Sequence, residues 1–245
     1  MATFPFFDAC TLFGPWPGHN EGLPFETLGR TLEQSAIAQA LVASTTSVFY
    51  DARSGNDLAL QAAQSAPGRL LPMAILDPRA FPDALDELDE RIAQGFKLAR
   101  FFPDRQGWPL RFAPFADLLA RCNEKKMPVA VSIAQHGDLT ALAEATASVQ
   151  VPIIVAGVTG EMLGEAVAVA RSRANFHFET ARLTAPRALE AFCMGVGAGE
   201  DRLVFASYSP LRYISAALGP VMTSSLSNEA KAKVLGDNLR RLLGM

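Results

Sequence analysis

Residues 128–173 read PVAVSIAQHGDLTALAEATASVQVPIIVAGVTGEMLGEAVAVARSR, and this stretch decides the fold. Two short apolar runs, at 128–133 and 151–156, are each followed by a longer segment with apolar residues at helical spacing. Both runs are apolar almost throughout, which is typical of strands buried on both faces of a parallel sheet. The stretch therefore predicts two consecutive strand–helix units of an α/β protein.

The same alternation continues in both directions and gives eight units. Further strands are predicted at 3–9, SVFYD (47–51), RLLPMAIL (69–76), FKLARFF (96–102), NFHFET (175–180) and RLVFAS (202–207). Further helices are predicted at about 31–43 and at 57–65, 82–94, 112–126, 185–196 and 227–245.

Eight such units are the number that closes a (β/α)8 barrel, a fold that places its site on the loops after the strands. A doubly wound open sheet is the alternative, but FGPWPG (13–18) after the first strand is not its Gly-rich phosphate turn. No linker, low-complexity tract or charge block divides the chain. We therefore predict an α/β fold, a (β/α)8 TIM barrel, with a single domain over residues 1–245.

The composition of the chain limits which classes of binding partner and which cellular compartment we expect. The formal net charge of -3 gives no reason to expect nucleic acid or an acidic membrane surface as a partner. No apolar run approaches the roughly 20 residues that span a bilayer. The start, MATFPFFDAC, lacks a basic segment and is not expected to be a signal peptide. Three scattered cysteines fit reduced thiols, so we predict a cytoplasmic protein.

Several segments resemble the amidohydrolase superfamily, especially its amidohydrolase-related (amidohydrolase 2) branch of hydrolases and decarboxylases. FFDACTLFG (6–14) resembles that family's opening Asp-x-His-x-His strand, and DRLVFASYSP (201–210) resembles its Gly-Ser/Thr-Asp-x-Pro turn. The other segments that carry the resemblance are YDARSGN (50–56), LLPMAILDPR (70–79), GFKLARFFP (95–103) and LGDNLRRLLG (235–244). The TatD-like nucleases are a weaker match. The resemblance implies an amidohydrolase-like barrel and spans most of the chain.

The positions that match the family's metal ligands hold other residues. These are Cys10 and Leu12 on strand one, Ser132 on strand five, Val158 on strand six and Tyr208 on strand eight. Leucine and valine offer no ligand atom to a divalent ion. We therefore predict that the ancestral metal site is lost, and we expect no metal and no other cofactor.

The chain's three histidines do not suggest a replacement metal site. His19 lies in the first loop, His136 beyond strand five and His177 within strand seven. They share no HxH or HxxxH spacing. We interpret His177 as a packed strand histidine.

Arg100 is the polar residue that most strongly indicates an anionic partner, because it lies in the otherwise apolar strand FKLARFF. Its guanidinium could bind a ligand carboxylate or phosphate. The alternative is an internal salt bridge to Asp8, Asp51 or Glu179, and the sequence leaves both open.

Other candidates lie at the ends of later strands. Glu179 could act as a general base, with Arg182 binding substrate, although such a pair is often structural. Tyr208 could donate a hydrogen bond to substrate, or its ring could plug the vacated metal space. Ser132 and His136 are four residues apart across a strand end and could form a nucleophile and its base.

Cys10 and the loops complete the predicted site. Cys10 would need a lowered pKa to react, and otherwise it is an ordinary buried thiol near the substrate. The first loop carries Trp16, His19 and Asn20, and the loop after strand four carries Asp104, Arg105, Gln106 and Trp108. Such residues can close over a small organic ligand, or they can form the surface of a homodimer.

Two functions remain open. One is a small-molecule site for an organic acid, with Trp16, Cys10, Arg100 and Arg182 binding a carboxylate or phosphate ligand. Its chemistry would be metal-independent hydrolysis or a lyase reaction, with Ser132, His136, Glu179 and Tyr208 as catalytic candidates. The other is a catalytically inactive barrel that serves as a binding or assembly partner.

Overall fold

The computed structural model describes residues 6–18, 22–35 and 37–245. Nine strands form within these ranges, and each pairs with its neighbours in parallel. They are β1 (Phe6–Phe13), β2 (Ile37–Ser44), β3 (Leu70–Pro72), β4 (Ala74–Ile75), β5 (Ala99–Phe101), β6 (Val129–Ser132), β7 (Ile153–Ala156), β8 (Phe176–Glu179) and β9 (Leu203–Val204).

The nine strands occupy eight positions around the barrel. This is because β3 and β4 are two parts of the third barrel strand, which is interrupted at Met73. β3 pairs with β2 and β4 pairs with β5. The Met73 amide donates to the Val42 carbonyl oxygen at 3.1 Å. The barrel closes where the Ala9 amide donates to the Phe205 carbonyl oxygen at 2.9 Å. The predicted (β/α)8 barrel is confirmed.

The helices cover the outside of the barrel. The longer ones are α1 (Phe25–Gln34), α3 (Ala52–Ser65), α4 (Asp83–Ala93), α6 (Ala113–Glu124), α7 (Asp138–Ala145), α8 (Leu163–Ser172), α9 (Ala188–Val196) and α10 (Ile214–Thr223). The shorter ones are α2 (Thr46–Phe49), α5 (Pro103–Gln106), α11 (Asn228–Ala232) and α12 (Asn238–Leu242). A π-helical turn, Lys233–Asp237, joins α11 to α12. No helix in the described ranges is long and apolar enough to cross a membrane.

The sequence prediction is wrong between residues 31 and 51. The expected helix at 31–43 ends at Gln34, and residues 37–44 form β2 instead. The expected strand at 47–51 is the short helix α2. IAQALVAS (37–44) contains good helix formers, but it pairs with β1 on one side and β3 on the other. Tertiary pairing has overridden local propensity here.

Alternation along the strands builds two apolar layers. On β6, Val129 and Val131 belong to the outer layer packed under the helices, whereas Ala130 belongs to the interior cluster. Ile154 and Val204 fill the same interior. Ser132 and Glu179 are the last residues of β6 and β8, so polar groups begin where this hydrocarbon filling ends, at the carboxyl face.

Candidate active site

A cleft of about 340 Å³ opens at the carboxyl face of the barrel. Its lining comes from the ends of six different strands and the loops that follow them, as expected for this architecture. The lining residues are Trp16, Phe102, Asp104, Arg105, Ser132, Ile133, Gly157, Arg182, Tyr208, Leu211 and Arg212. The cleft therefore brings together six of the residues that the sequence singled out, which are Trp16, Asp104, Arg105, Ser132, Arg182 and Tyr208.

Gly157 is needed at this face because the loop after β7 passes very close to the end of β6. Its φ is +100°, and a Cβ there would lie 2.2 Å from the Ile133 carbonyl oxygen. A side chain would push the two loops apart. The glycine thus keeps one wall of the cleft in place.

A buried ion pair lies beneath the cleft. Arg100 is fully buried, and its Nη1 donates to Glu179 Oε1 at 2.7 Å while Nη2 donates to Oε2 at 3.2 Å. Nη2 also donates to the Tyr208 hydroxyl oxygen. This is one of the internal salt bridges that the sequence left open for Arg100. Its role as a ligand-binding residue stays a prediction, and so does Glu179 as a base.

Tyr208 separates this ion pair from the cleft. Its φ is +60°, and its amide donates to the Cys10 carbonyl oxygen at 2.9 Å. The Arg100 guanidinium carbon lies 5.1 Å from the centre of its ring. Burial raises the pKa of the Tyr208 hydroxyl well above its usual value, so this hydroxyl stays protonated at neutral pH.

Asp8 is a second buried acid in the barrel. Its Oδ1 accepts from the Cys10 amide at 3.0 Å and from the Ser207 amide at 2.9 Å. In the described part of the chain its Oδ2 has no hydrogen-bond partner. Burial raises the pKa of this carboxyl to about 7. Asp8 therefore bonds the first strand to the segment after β9 and closes the barrel on its carboxyl side.

The thiol of Cys10 is fully buried and does not line the cleft. Burial raises its pKa, which works against a thiolate nucleophile. Its predicted contact with substrate remains a prediction. The other two cysteines, Cys122 and Cys193, are likewise free and buried.

Ser132 and His136 are not brought together as nucleophile and base. Ser132 Oγ is buried at the edge of the cleft and has no hydrogen-bond partner among the described residues. His136 is exposed and is not among the lining residues. His177 is buried, and burial lowers its pKa to about 3, which fits the packed strand histidine expected from sequence.

The cleft also contains cationic groups. Arg182 is exposed, and no ion pair joins it to Glu179 within the described ranges. Arg105 pairs with Asp104 at 3.3 Å, and its guanidinium lies 5.9 Å from the centre of the Trp16 ring. Arg212 donates from Nη1 to the Ala181 carbonyl oxygen at 2.8 Å.

The sequence reasoning missed Arg212 and Phe102, both of which line the cleft. Arg212 could have been found, because it follows Tyr208 by four residues on a loop of the carboxyl face. Trp108 and Gln106 are buried and bond to each other, Trp108 Nε1 donating to Gln106 Oε1 at 3.0 Å. The predicted loop residues His19 and Asn20 lie outside the described residues.

The described residues do not fit a divalent cation at this face. No group of three or more His, Cys, Asp or Glu side chains in the described ranges is placed to hold a metal ion. Both carboxylate oxygens of Glu179 already accept from Arg100, and Leu12 and Val158 are buried hydrocarbon.

Solved structures with the same barrel include two decarboxylases and a hydratase. A 2,6-dihydroxybenzoate decarboxylase in complex with 2,6-dihydroxybenzoate has a TM-score of 0.78 and 16% identity, covering 100% of both chains. A dihydroxybenzoic acid decarboxylase from Polaromonas sp. JS666, with bound manganese and the inhibitor 2-nitroresorcinol, has a TM-score of 0.79 and 15% identity, covering 99% of this chain and 97% of that one. The 4-oxalomesaconate hydratase from Rhodopseudomonas palustris has a TM-score of 0.71 and 14% identity, covering 98% and 95%.

At these identities the likeness shows the shared fold. A search of curated proteins finds no match to this chain. The family model described as Amidohydrolase matches residues 30–245, which is most of the chain. The protein therefore belongs to the amidohydrolase family, as the sequence resemblance indicated.

Proposed function

We propose that this protein is an enzyme of the amidohydrolase family that acts as a lyase on a small aromatic organic acid. The observation that carries the proposal is the cleft, in which aromatic residues and arginines lie beside Tyr208, whose hydroxyl accepts from Arg100. The solved decarboxylases and the hydratase with this barrel act on organic acids by lyase chemistry, which supports the same class here. Neither they nor the family match supports the alternative of an inactive binding partner.

The cleft has the groups needed to hold an aromatic carboxylate. Trp16 and Phe102 offer ring faces and edges against which a planar substrate can pack. Arg182 and Arg212 present guanidinium groups to the same space, and such groups bind carboxylates or phosphates in a forked geometry. The substrate carboxylate would therefore lie toward these two arginines.

A lyase reaction suits the site better than hydrolysis, which needs a free base to activate water. Asp104 is the carboxylate of the cleft lining, and it pairs with Arg105. Glu179 lies below and is neutralised by Arg100. Both carboxylates therefore have an arginine partner in the structure.

The lyase reaction that these residues suit is a decarboxylation without a metal. The bond between the ring carbon and the carboxylate carbon breaks, its electron pair stays on the ring carbon, and carbon dioxide leaves. The Tyr208 hydroxyl gives the ring carbon a proton and regains one from solvent. Arg100 donates to that hydroxyl and is held by Glu179, and Ser132 lies at the edge of the same cleft.

The test is turnover by a variant that lacks only the Tyr208 hydroxyl. Aromatic carboxylic acids, 2,6-dihydroxybenzoate among them, are incubated with the protein in EDTA, and carbon dioxide and product are quantified. Tyr208→Phe should lower turnover by about 10²-fold, the usual worth of a positioned proton donor, while substrate affinity stays within a few-fold. Tyr213→Phe removes the same hydroxyl from an exposed tyrosine outside the cleft and should change nothing.

Two results would count against the proposal. One is that none of the acids binds or is consumed. The other is that turnover appears only when manganese is added, because that would require ligands that the described residues do not provide.

A further inference from the structure

A second cavity, of about 530 Å³, adjoins the cleft. Its lining residues are Thr159, Gly160, Glu161, Arg182, Thr184, Ala185 and Arg212. Arg182 and Arg212 line both spaces. The two guanidinium groups therefore stand between two cavities, and a single ligand could reach past them from one into the other.

The arginines are held at this boundary by neighbouring loops. Arg212 follows β9, and its Nη1 bonds to the Ala181 carbonyl oxygen in the turn after β8. Arg182 belongs to that same turn, one residue further along the chain. Arg182 is exposed and has no ion-pair partner within the described ranges. The bond from Arg212 uses one nitrogen of its guanidinium, so both residues keep donors for a ligand.

The second cavity itself has the chemistry of an anion site. Thr159 and Thr184 add hydroxyl groups, and Glu161 is the carboxylate of its lining. Two guanidinium groups against one carboxylate leave the space with a positive balance. Guanidinium and hydroxyl donors together are suited to a carboxylate or a phosphate.

We propose that the second cavity is a subsite for a second anionic group on the substrate. The substrate class is then an organic acid with two acidic groups, one bound in the cleft and the other beyond Arg182 and Arg212. This inference rests on the proposed function, since the first acidic group is the one that the cleft binds. The second group is a carboxylate or a phosphate-like group, and the experiment distinguishes them.

The experiment compares ligands that differ only in the second acidic group. Affinities of benzoate, isophthalate and 3-phosphonobenzoate are measured by calorimetry on the full-length protein. The variant Ala185→Phe fills the second cavity from an exposed position outside the cleft lining. Ala191→Phe, at an exposed position of α9 that lines neither cavity, is the matched control.

The wild-type protein should bind at least one of the two diacids about tenfold more tightly than benzoate, as one added charge-assisted contact gives. The preferred diacid then names the second group. Ala185→Phe should abolish that preference and leave benzoate affinity within about twofold, whereas Ala191→Phe should preserve it. Arg212→Gln should weaken all three ligands.

Equal binding of benzoate and both diacids by the wild-type protein would overturn this inference alone. A preference that survives in Ala185→Phe would also overturn it, because the second group would then be bound elsewhere. Absence of binding by all three ligands would overturn the proposed function together with the inference.

Discussion

Arg100 has no exposure to solvent, although its guanidinium carries a full positive charge. Arg100 has aromatic rings nearby, its guanidinium carbon lying 5.2 Å from the centre of the Phe102 ring and 5.1 Å from that of Tyr208. Glu179 supplies the compensating charge from a strand that is 79 residues distant along the chain. Burial of two charges costs several kcal/mol, and only the paired geometry offsets it.

Removal of one member of this pair should therefore lower the free energy of unfolding substantially. Arg100→Met leaves the Glu179 carboxylate buried without its cation, and we expect the free energy of unfolding to fall by about 3 to 5 kcal/mol. The double variant Arg100→Met with Glu179→Gln should recover part of that loss, because the uncompensated charge is gone. Denaturant unfolding measures both, with Arg79→Met, in an exposed pair with Asp77, as a control that loses less than about 1 kcal/mol. A loss of that small size in Arg100→Met would contradict the buried pair.

Asp8 should give the protein a characteristic dependence of stability on pH. Its pKa is raised to about 7 in the folded protein from an ordinary 3.8. Between these values the folded state keeps a proton that the unfolded chain has released, so stability falls as pH rises from about 4 to about 7. The fall should amount to roughly 2 to 4 kcal/mol, and it should end above pH 7.

The variant Asp8→Asn should lack this fall, since an amide does not titrate. The measurement is the free energy of unfolding across pH 4 to pH 8, relative to wild type. Asp86→Asn, at an exposed position of α4, should keep the wild-type dependence. Parallel curves for wild type and Asp8→Asn would show that the Asp8 carboxyl titrates normally.

At the scale of the elements, the third barrel strand, which β3 and β4 form together, depends on a side chain from α3. Asn56 Oδ1 accepts from the Ile75 amide at 2.9 Å, and its Nδ2 donates to the Ile75 carbonyl oxygen at 3.0 Å. Nδ2 also donates to Glu87 Oε1 at 2.8 Å. Because β2 pairs with β3 and not with β4, Asn56 supplies the hydrogen bonds that a neighbouring strand would otherwise give.

We expect Asn56→Ala to lower the free energy of unfolding by about 2 to 4 kcal/mol. The reason is that it leaves the Ile75 amide and carbonyl oxygen, and part of the Glu87 carboxylate, buried without partners. Asn228→Ala, at an exposed position in α11, removes the same side chain and should cost less than about 0.5 kcal/mol. Chemical denaturation compares the two, and equal small losses would mean that other groups or water bond to Ile75.

At the scale of the whole molecule, the question is whether the folded barrel holds a metal. We predict that the purified protein carries no stoichiometric zinc, manganese or iron, because Glu179 is bonded to Arg100 and the described residues offer no ligand cluster. Elemental analysis measures this directly. The melting temperature should be the same with and without EDTA, since no metal-binding energy is coupled to folding. One tightly held ion per chain would contradict the prediction and would direct attention to His19.

The sequence by itself determined the architecture. Apolar runs such as PVAVSI and VPIIVA, each followed by a helical segment, were enough to predict eight strand–helix units. The reason is that a strand buried on both faces is a short run of consecutive apolar residues, which can be recognised locally. The family was also within reach of the sequence, since its motifs are contiguous segments. Placement of Ser132 and Tyr208 at the cleft followed from their positions at the carboxyl ends of strands.

Only the tertiary structure decided the rest. Residues 37–44 became a strand because β1 and β3 flank them, and no local pattern records which neighbours a segment will have. The sequence left two roles possible for Arg100, which were binding a ligand and forming a salt bridge with one of three acids. The barrel places Glu179 against Arg100 because β5 and β8 face each other across the interior. Arg182 and Arg212 line the same two cavities because they follow β8 and β9, which are neighbours in the sheet. Partners distant in sequence are chosen by the closure of the barrel, which residue spacing does not encode.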